Sequence, residues 1–263
     1  MLLAVDIGNT NVVCALFDKD ELVCQWRMYS DTKRTADEYG SILSIMMKNS
    51  GYATDSIDSA IVSSVVPLLT GPWISVTERI TGKKPVIVGP AVYDKLPIKI
   101  PAVSVNEIGT DIVCNAVQAW TSQKKACIVV DFGTALTLTA ISDKGEILGV
   151  SIAPGLRTAV NSLFNNTAQV PSVPLEAPPD SLGTNTIHSV QSGIVLGYKG
   201  LVEYLITCIK KDTSAKTGID PENMLVVATG GLNSVLRPIT SIFQTVDKNL
   251  TLKGLNTIAN ICL

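Results

Sequence analysis

Leu3-Ala4-Val5-Asp6-Ile7-Gly8-Asn9-Thr10-Asn11 opens the chain, and Val130-Asp131-Phe132-Gly133-Thr134 repeats its pattern, with aspartate 131 standing 125 residues after aspartate 6. Each stretch is a short apolar run that stops at an aspartate and breaks at a glycine, which reads as the end of a strand and a turn. After the first turn, residues 12–17 form a second apolar run, Asp18-Lys19-Asp20 a turn, and Glu21–Tyr29 an alternating third strand. After the second turn, Ala135–Ile141 continues as a strand, Asp143-Lys144-Gly145 turns, and residues 146–152 form another strand. A supersecondary unit that recurs once predicts two similar halves facing each other across a cleft, not a solenoid. The expected division is 1–118 and 119–263.

The remaining chain alternates strands and helices, which implies an α/β fold. Residues 35–48 have helical periodicity through Tyr39, Ile42, Ile45 and Met46, with Asp37 and Glu38 in the first turn. Residues 59–66 and 84–88 read as buried strands around a helical stretch near 73–80. Residues 90–101 read as a proline-punctuated connection. A helix is expected over 106–120, with Ile112, Val113, Ala116 and Ala119 on one stripe. Four prolines between 171 and 179 predict an extended loop. A long amphipathic helix is expected over 189–210, a strand over 225–228 running into Thr229-Gly230-Gly231, and a closing helix over 252–261.

Composition narrows the function classes. The 263 residues carry 21 Lys+Arg and 23 Asp+Glu, a net charge of -2, with 46% hydrophobic and 17% charged residues. Such a chain is too apolar and too weakly charged to be disordered, and it lacks the basic field of a general nucleic-acid binder. Its apolar runs are strand-length, short of the roughly 20 residues that cross a membrane. An acid at position 6 and no basic start argue against a secretory signal. The apolar excess fits a surface hidden in a subunit interface. The six cysteines include no C-x-x-C pair and read as reduced, buried thiols. The one histidine, His188, excludes a zinc site with several imidazoles, and it reads as a surface or capping residue. Chemistry must therefore run on carboxylates, hydroxyls, backbone amides and bound ions.

The aspartate–glycine turns suit polyphosphate. Gly8 allows unusual φ values and close ligand approach, successive amides in a turn make an anion-binding concavity, and Thr10 and Asn11 add donors. Asp6 at the strand end suits magnesium, directly or through water. One such turn also occurs in ordinary loops, and the matching turn at Asp131 to Thr134 is what points to phosphate held from two sides. Gly230-Gly231 fits either a flat contact with a planar ring or a tight strand-to-helix turn. Together the three turns resemble the actin, hexokinase and Hsp70 ATPase fold: α/β, with two ribonuclease-H-like halves and a nucleotide cleft between them.

A closer resemblance rests on longer blocks. The segment Leu3 to Asn11, Arg34-Thr35-Ala36-Asp37-Glu38-Tyr39, Ser63-Ser64-Val65-Val66-Pro67, Val130 to Thr134 and Ile152-Ala153-Pro154-Gly155 are similar, in order, to the type III pantothenate kinases. Gly183 to Thr186, Gln191-Ser192-Gly193 and Thr251-Leu252-Lys253-Gly254-Leu255 agree as well, so the resemblance spans nearly the whole chain. It implies an ATP-dependent kinase that phosphorylates the primary hydroxyl of pantothenate, the first step of coenzyme A synthesis. It also implies a cytoplasmic homodimer using Mg2+ and a monovalent cation, K+ or NH4+, with no nucleic-acid or membrane partner. By position, Asp6, Ile7, Gly8, Asn9, Thr10, Asn11, Val12, Val13 and Thr134 would contact ATP. Asp131 would hold the monovalent ion and Asp6 the magnesium. Gly109, Thr110, Asp111, Ile112 and Thr186 would contact pantothenate, with Asp111 as proton acceptor. From the residues alone, Asp111 is equally an acid favoured by the helix dipole.

The likeness breaks near that position. The family usually has Gly-Ala-Asp-Arg where this chain reads Gly109-Thr110-Asp111-Ile112, and isoleucine cannot pair with a carboxylate as arginine does. Thr134-Ala135-Leu136-Thr137 stands where Thr-Ala-Thr-Thr is usual, and Gly149-Val150-Ser151 where a Gly-Gly pair is usual. Either another base, such as Lys99, Arg157 or Lys33, replaces the arginine, or pantothenate affinity is weak or lost. The competing expectations are a non-catalytic relative that binds nucleotide and acts as an accessory or regulatory protein, and a related kinase or phosphatase with a different acceptor.

Overall fold

The computed structural model describes residues 1–167, 173–231 and 233–263. The first sheet begins as an antiparallel meander of β1 (Leu2–Ile7), β2 (Asn11–Asp18) and β3 (Glu21–Tyr29). On the other side of β1 lie β4 (Ser59–Ser64) and β5 (Val86–Ile87), both parallel, giving the order β3-β2-β1-β4-β5. The second sheet contains β6 (Cys127–Phe132), β7 (Ala135–Ile141), β8 (Ile147–Pro154), β9 (Leu225–Gly230) and β10 (Thr245–Val246), in the order β10-β9-β6-β7-β8 with the same directions.

The two sheets repeat each other in detail. β6 is β1 moved by 125 positions, and each ends on the aspartate and one further residue. Ile7 pairs with Val12 and Phe132 with Leu136, so the second turn is one residue shorter and β7 follows β2 at an offset of 124. The ladder slips at Leu16/Phe17 and again at Ala140/Ile141, which are the same place in the two units. A bulge kept in both copies bends the third strand of each meander in the same way.

By internal contacts the chain divides into Met1–Ser122 with Leu250–Leu263, and Gln123–Asn249. The last helix, Leu250–Cys262, therefore belongs to the first unit, whereas the expected second half ran to 263. In the first unit, alternate residues of β1 (Leu3, Val5 and Ile7) point into a core with Val12, Cys14 and Leu16 of β2. Tyr39, Leu43 and Met47 of the Ala36–Asn49 helix and Leu69, Trp73 and Val76 of the Pro67–Thr81 helix close that core. Thr35 caps the first of these helices, accepting from the Glu38 amide at 3.3 Å while Glu38 accepts from the Thr35 amide at 2.7 Å. The second unit packs Ile128, Val130 and Phe132 of β6 with Leu136 and Leu138 of β7 against Val195, Val202 and Ile206.

Several boundaries differ from expectation. β5 is only two residues long, and Ile87 is 42% exposed, so it is an edge strand and not a buried one. The helix expected from 106 starts at Thr110, because residues 102–104 form a separate turn. Pro90–Tyr93 is a helical turn that carries Tyr93 inward, as Leu96 and Ile98 are also buried. The long helix runs Thr186–Thr217 and widens to a π-turn at Ser192–Leu196. It is long and apolar enough to span a membrane, but its apolar positions Val195, Val202 and Ile206 supply the core of the second sheet. Part of the 171–179 loop and Leu232 lie outside the described residues.

The other face of β1, with Leu2, Ala4 and Asp6, turns away from that core. The Thr110–Gln123 helix is bound to the closing helix by Thr251 Oγ1 donating to Asn115 Oδ1 (2.8 Å) and Thr257 Oγ1 donating to Gln118 Oε1 (2.8 Å). At Gly254 the two backbones come so close that a Cβ would stand 2.6 Å from the Cys114 carbonyl carbon. Helix propensity alone predicts that Gly254→Ala gains about 1 kcal/mol. The contact predicts the opposite, a loss of about 1–3 kcal/mol from overpacking. Urea unfolding of the variant decides, since a midpoint at or above wild type would contradict this packing.

Candidate active site

The Thr110–Gln123 helix presents Asp111 as its second residue. The Gly109 carbonyl accepts the Val113 amide (3.2 Å), and the Asp111 carboxylate accepts the Ile112 amide at 2.8 Å. Burial raises the Asp111 carboxyl above its ordinary value, and the amides of Ile112 and of Asp111 itself oppose that rise only in part. A carboxylate that is partly desolvated yet held by amides is suited to orient a hydroxyl and accept its proton.

Two further groups mark the surroundings of Asp111. Burial, with the nearby Cys114 and Asp111, pushes the Tyr93 hydroxyl up to about 12. The Cys114 thiol is raised well above its ordinary value by burial, then by Asp6, then by Asp111. Both aspartates contribute to that rise, and both belong to the first unit. Ser63, at the end of β4, sits beside them: it is the parallel partner of Asp6 and its hydroxyl lies 2.9 Å from that of Thr110.

The turn after Asp6 is tightly held. Gly8 N–H donates to the Asn11 carbonyl (3.0 Å), the Ser30 amide to the Thr10 carbonyl (3.0 Å), the Ser30 hydroxyl to the Gly8 carbonyl (2.6 Å) and the Val65 amide to the Ile7 carbonyl (3.0 Å). The Gly8 amide is thus engaged within the turn, and Gly8 is not among the glycines with positive φ. Its role here is room, because a Cβ would press on the Asn11 carbonyl at 3.2 Å. Ile7 and Val12 are fully buried core residues, so only their backbone can serve a ligand. Asn9 and Thr10 are exposed, and Asp6, Asn11 and Val13 are half-buried.

In the second unit the Gly133 amide donates to the Ala135 carbonyl at 3.1 Å, matching the engaged Gly8 amide. The Thr134 carbonyl accepts the Gly155 amide (3.0 Å) and the Thr158 hydroxyl (2.7 Å), which fixes the turn to the start of the Leu156–Asn165 helix. Gly230 packs against Asp131 from the neighbouring strand β9. Its φ is +84°, and a Cβ would stand 2.6 Å from both Asp131 Oδ1 and the Phe132 carbonyl. Only glycine fits there, so Gly230, at the end of β9, makes room for Asp131. A separate open cavity of about 650 Å³ is walled by Leu163, Val190 and Ile194 with the polar run Gly183, Thr184, Asn185 and Thr186. That mix of apolar wall and few polar groups suits a small organic ligand.

Ile112 is 8% exposed and points inward, where it offers nothing to a carboxylate. Lys33, Lys99 and Arg157 are all exposed. His188 gives its backbone amide to the side chain of Asn185 (2.9 Å), so Asn185 is the cap of this helix and His188 the capped residue. All six cysteines are free thiols, and Cys24, Cys208 and Cys262 are only half-buried. Sequence reasoning missed Tyr93, Ser63 and Cys114. The available signal for Ser63 was a hydroxyl ending a strand beside β1, opposite its aspartate.

The raised carboxyl of Asp111 has a stability consequence. The folded state binds its proton more tightly than the unfolded state, so stability is full below the unfolded aspartate value, about 4, and falls as pH rises through the higher folded value. Asp111→Asn is therefore expected to raise the melting temperature at pH 7–8 and to differ little from wild type near pH 3. Scanning calorimetry at the two pH values checks this, and a lower melting temperature at pH 8 would contradict the burial.

A family model described as type III pantothenate kinase matches residues 2–208. A type III pantothenate kinase from Moorella thermoacetica is 40% identical over 258 residues, covering 98% of each chain. Among solved structures, a Campylobacter jejuni protein described as a Baf family transcriptional activator superposes with a TM-score of 0.60 at 16% identity, covering 98% of this chain and 97% of its own. A Sinorhizobium meliloti protein described as a 2-dehydro-3-deoxygalactonokinase gives 0.55 at 12% identity, covering 99% and 96%.

Proposed function

The chain belongs to the type III pantothenate kinase family, and we propose that it transfers the γ-phosphoryl group of ATP to the primary hydroxyl of pantothenate, the first step of coenzyme A synthesis. The observation that carries this beyond kinship is the link through Ser63, which is the parallel partner of Asp6 and whose hydroxyl lies 2.9 Å from that of Thr110, the residue before Asp111. Phosphoryl transfer through a loose transition state needs alignment and charge neutralisation more than covalent chemistry. Asp111, half-buried and held by the Ile112 amide, would orient the acceptor hydroxyl and take its proton.

The remaining assignments follow by position in the family. Residues 6–13 and Thr134 would contact ATP, with Ile7 and Val12 through backbone alone. Gly109, Thr110, Ile112 and Thr186 would line the acceptor, and Thr186 stands on the wall of the 650 Å³ cavity. Kinases of this type work with a divalent metal. Mg2+ would be held by one carboxylate, Asp6, with water and substrate phosphate. By position in the family, Asp131 would hold K+ or NH4+, whose part would be to neutralise phosphate charge. A cytoplasmic homodimer accords with the family and with exposed apolar residues such as Ile152 and Tyr204.

The test is ADP release by purified protein with ATP, Mg2+, K+ and pantothenate. Wild type is expected to release ADP only when pantothenate is present. Asp111→Asn should lose turnover by about 10²–10⁴-fold while nucleotide affinity, read by calorimetric titration, stays within a few-fold. ADP release indifferent to pantothenate, or Asp111→Asn at wild-type rate, would overturn the assignment. Lower turnover in sodium than in potassium, lost in Asp131→Asn, is expected if Asp131 holds the monovalent ion; equal rates in both salts would remove it from that role.

A further inference from the structure

We propose that Ser63 is a positioning residue for this transfer: its hydroxyl, paired with that of Thr110, fixes where Asp111 stands relative to Asp6. The proposal rests on the reading of Asp111 as proton acceptor.

Four observations converge on it. Ser63 is completely buried. It is the in-register parallel partner of Asp6, so the two side chains leave the sheet on the same face. Its hydroxyl lies 2.9 Å from Thr110 Oγ1, at the residue before Asp111. It also serves as hydrogen-bond neighbour to Cys114, and Thr110 and Cys114, four residues apart, share one helix face. One small hydroxyl therefore touches the first residue of the helix, from a strand locked to the strand of Asp6.

The adjoining backbone explains why such a pin is needed. Residues 102–108 before the helix form a 3-10 turn, a second hydrogen-bonded turn and a bend, short pieces rather than a continuous element. The closing helix grips Cys114, Asn115 and Gln118, all downstream of Asp111. Ser63–Thr110 is thus a side-chain hydrogen bond that registers the N-terminal end of the helix, where the carboxylate sits, with the sheet. Alanine would fill the same space in the sheet, so what the hydroxyl adds is direction. Misplacing a reacting group by about 1 Å can cost as much as 10²-fold in rate.

The experiment is a double-mutant cycle on kcat, with Ser63→Ala, Thr110→Val and the double variant measured beside Asp111→Asn. Each protein is first confirmed folded by its melting curve. Ser63→Ala is expected to lower kcat by about tenfold or more and leave KM for ATP within twofold, a split that general destabilisation does not produce. The double variant should be no slower than Thr110→Val, because one interaction is lost only once. Ser63→Ala with kcat within twofold of wild type, or losses that multiply in the double variant, would overturn the proposal. An inactive Asp111→Asn beside a fully active Ser63→Ala sinks Ser63 alone, whereas an active Asp111→Asn sinks the parent reading and this one with it.

Discussion

A carboxylate held partly out of water at the opening of a helix is the constraint around which the first unit is arranged. Left to itself, Asp111 would keep its ordinary affinity for protons and its hydration. Burial raises the one and removes the other, while the Ile112 amide keeps the group in a fixed direction. That arrangement costs stability when the group is ionised, and the surrounding braces offset it: the Gly254–Cys114 backbone contact, the Thr251 and Thr257 hydrogen bonds and the Ser63–Thr110 pair. The closing helix crosses back into the first unit to make the first three of these.

The duplication shows what is scaffold and what is particular. Both units share the strand order, the aspartate-ended strand, the self-closed glycine turn and a bulge at the same point of the meander. Those features are therefore requirements of the sheet. The turns then diverge: the first is one residue longer and is tied to Ser30, and the second is tied to Gly155 and Thr158. Each aspartate keeps a buried hydroxyl residue as its parallel partner, Ser63 for Asp6 and Thr229 for Asp131, while Asp131 also has Gly230 packed against its carboxylate.

Much of this could be read from the residues. The apolar runs and turn residues located β1–β4 and β6–β9 within a few positions, because burial demands the apolar pattern and turns demand Gly, Asn and Asp. The same logic failed at Ile87, where an apolar residue lies on an edge, and at the start of the Asp111 helix, where periodicity ran on through residues 106–109 without a cap to stop it. The membership of the closing helix was not legible, since which sheet an amphipathic helix covers depends on long-range contacts such as Gly254 on Cys114. The aspartates of the site were visible as strand and helix ends. Ser63, Tyr93 and Cys114 were not, because a buried serine, tyrosine or cysteine looks the same in sequence whether it supports a site or merely fills space.

The central claim is that Asp111 meets the acceptor hydroxyl. A crystal structure with a non-hydrolysable ATP analogue, Mg2+ and pantothenate measures this directly. The account predicts the primary hydroxyl of pantothenate within hydrogen-bond reach of the Asp111 carboxylate, about 2.6–3.2 Å. A pantothenate hydroxyl aimed at the γ-phosphate with another residue as its hydrogen-bond acceptor, and Asp111 remote from it, would contradict it.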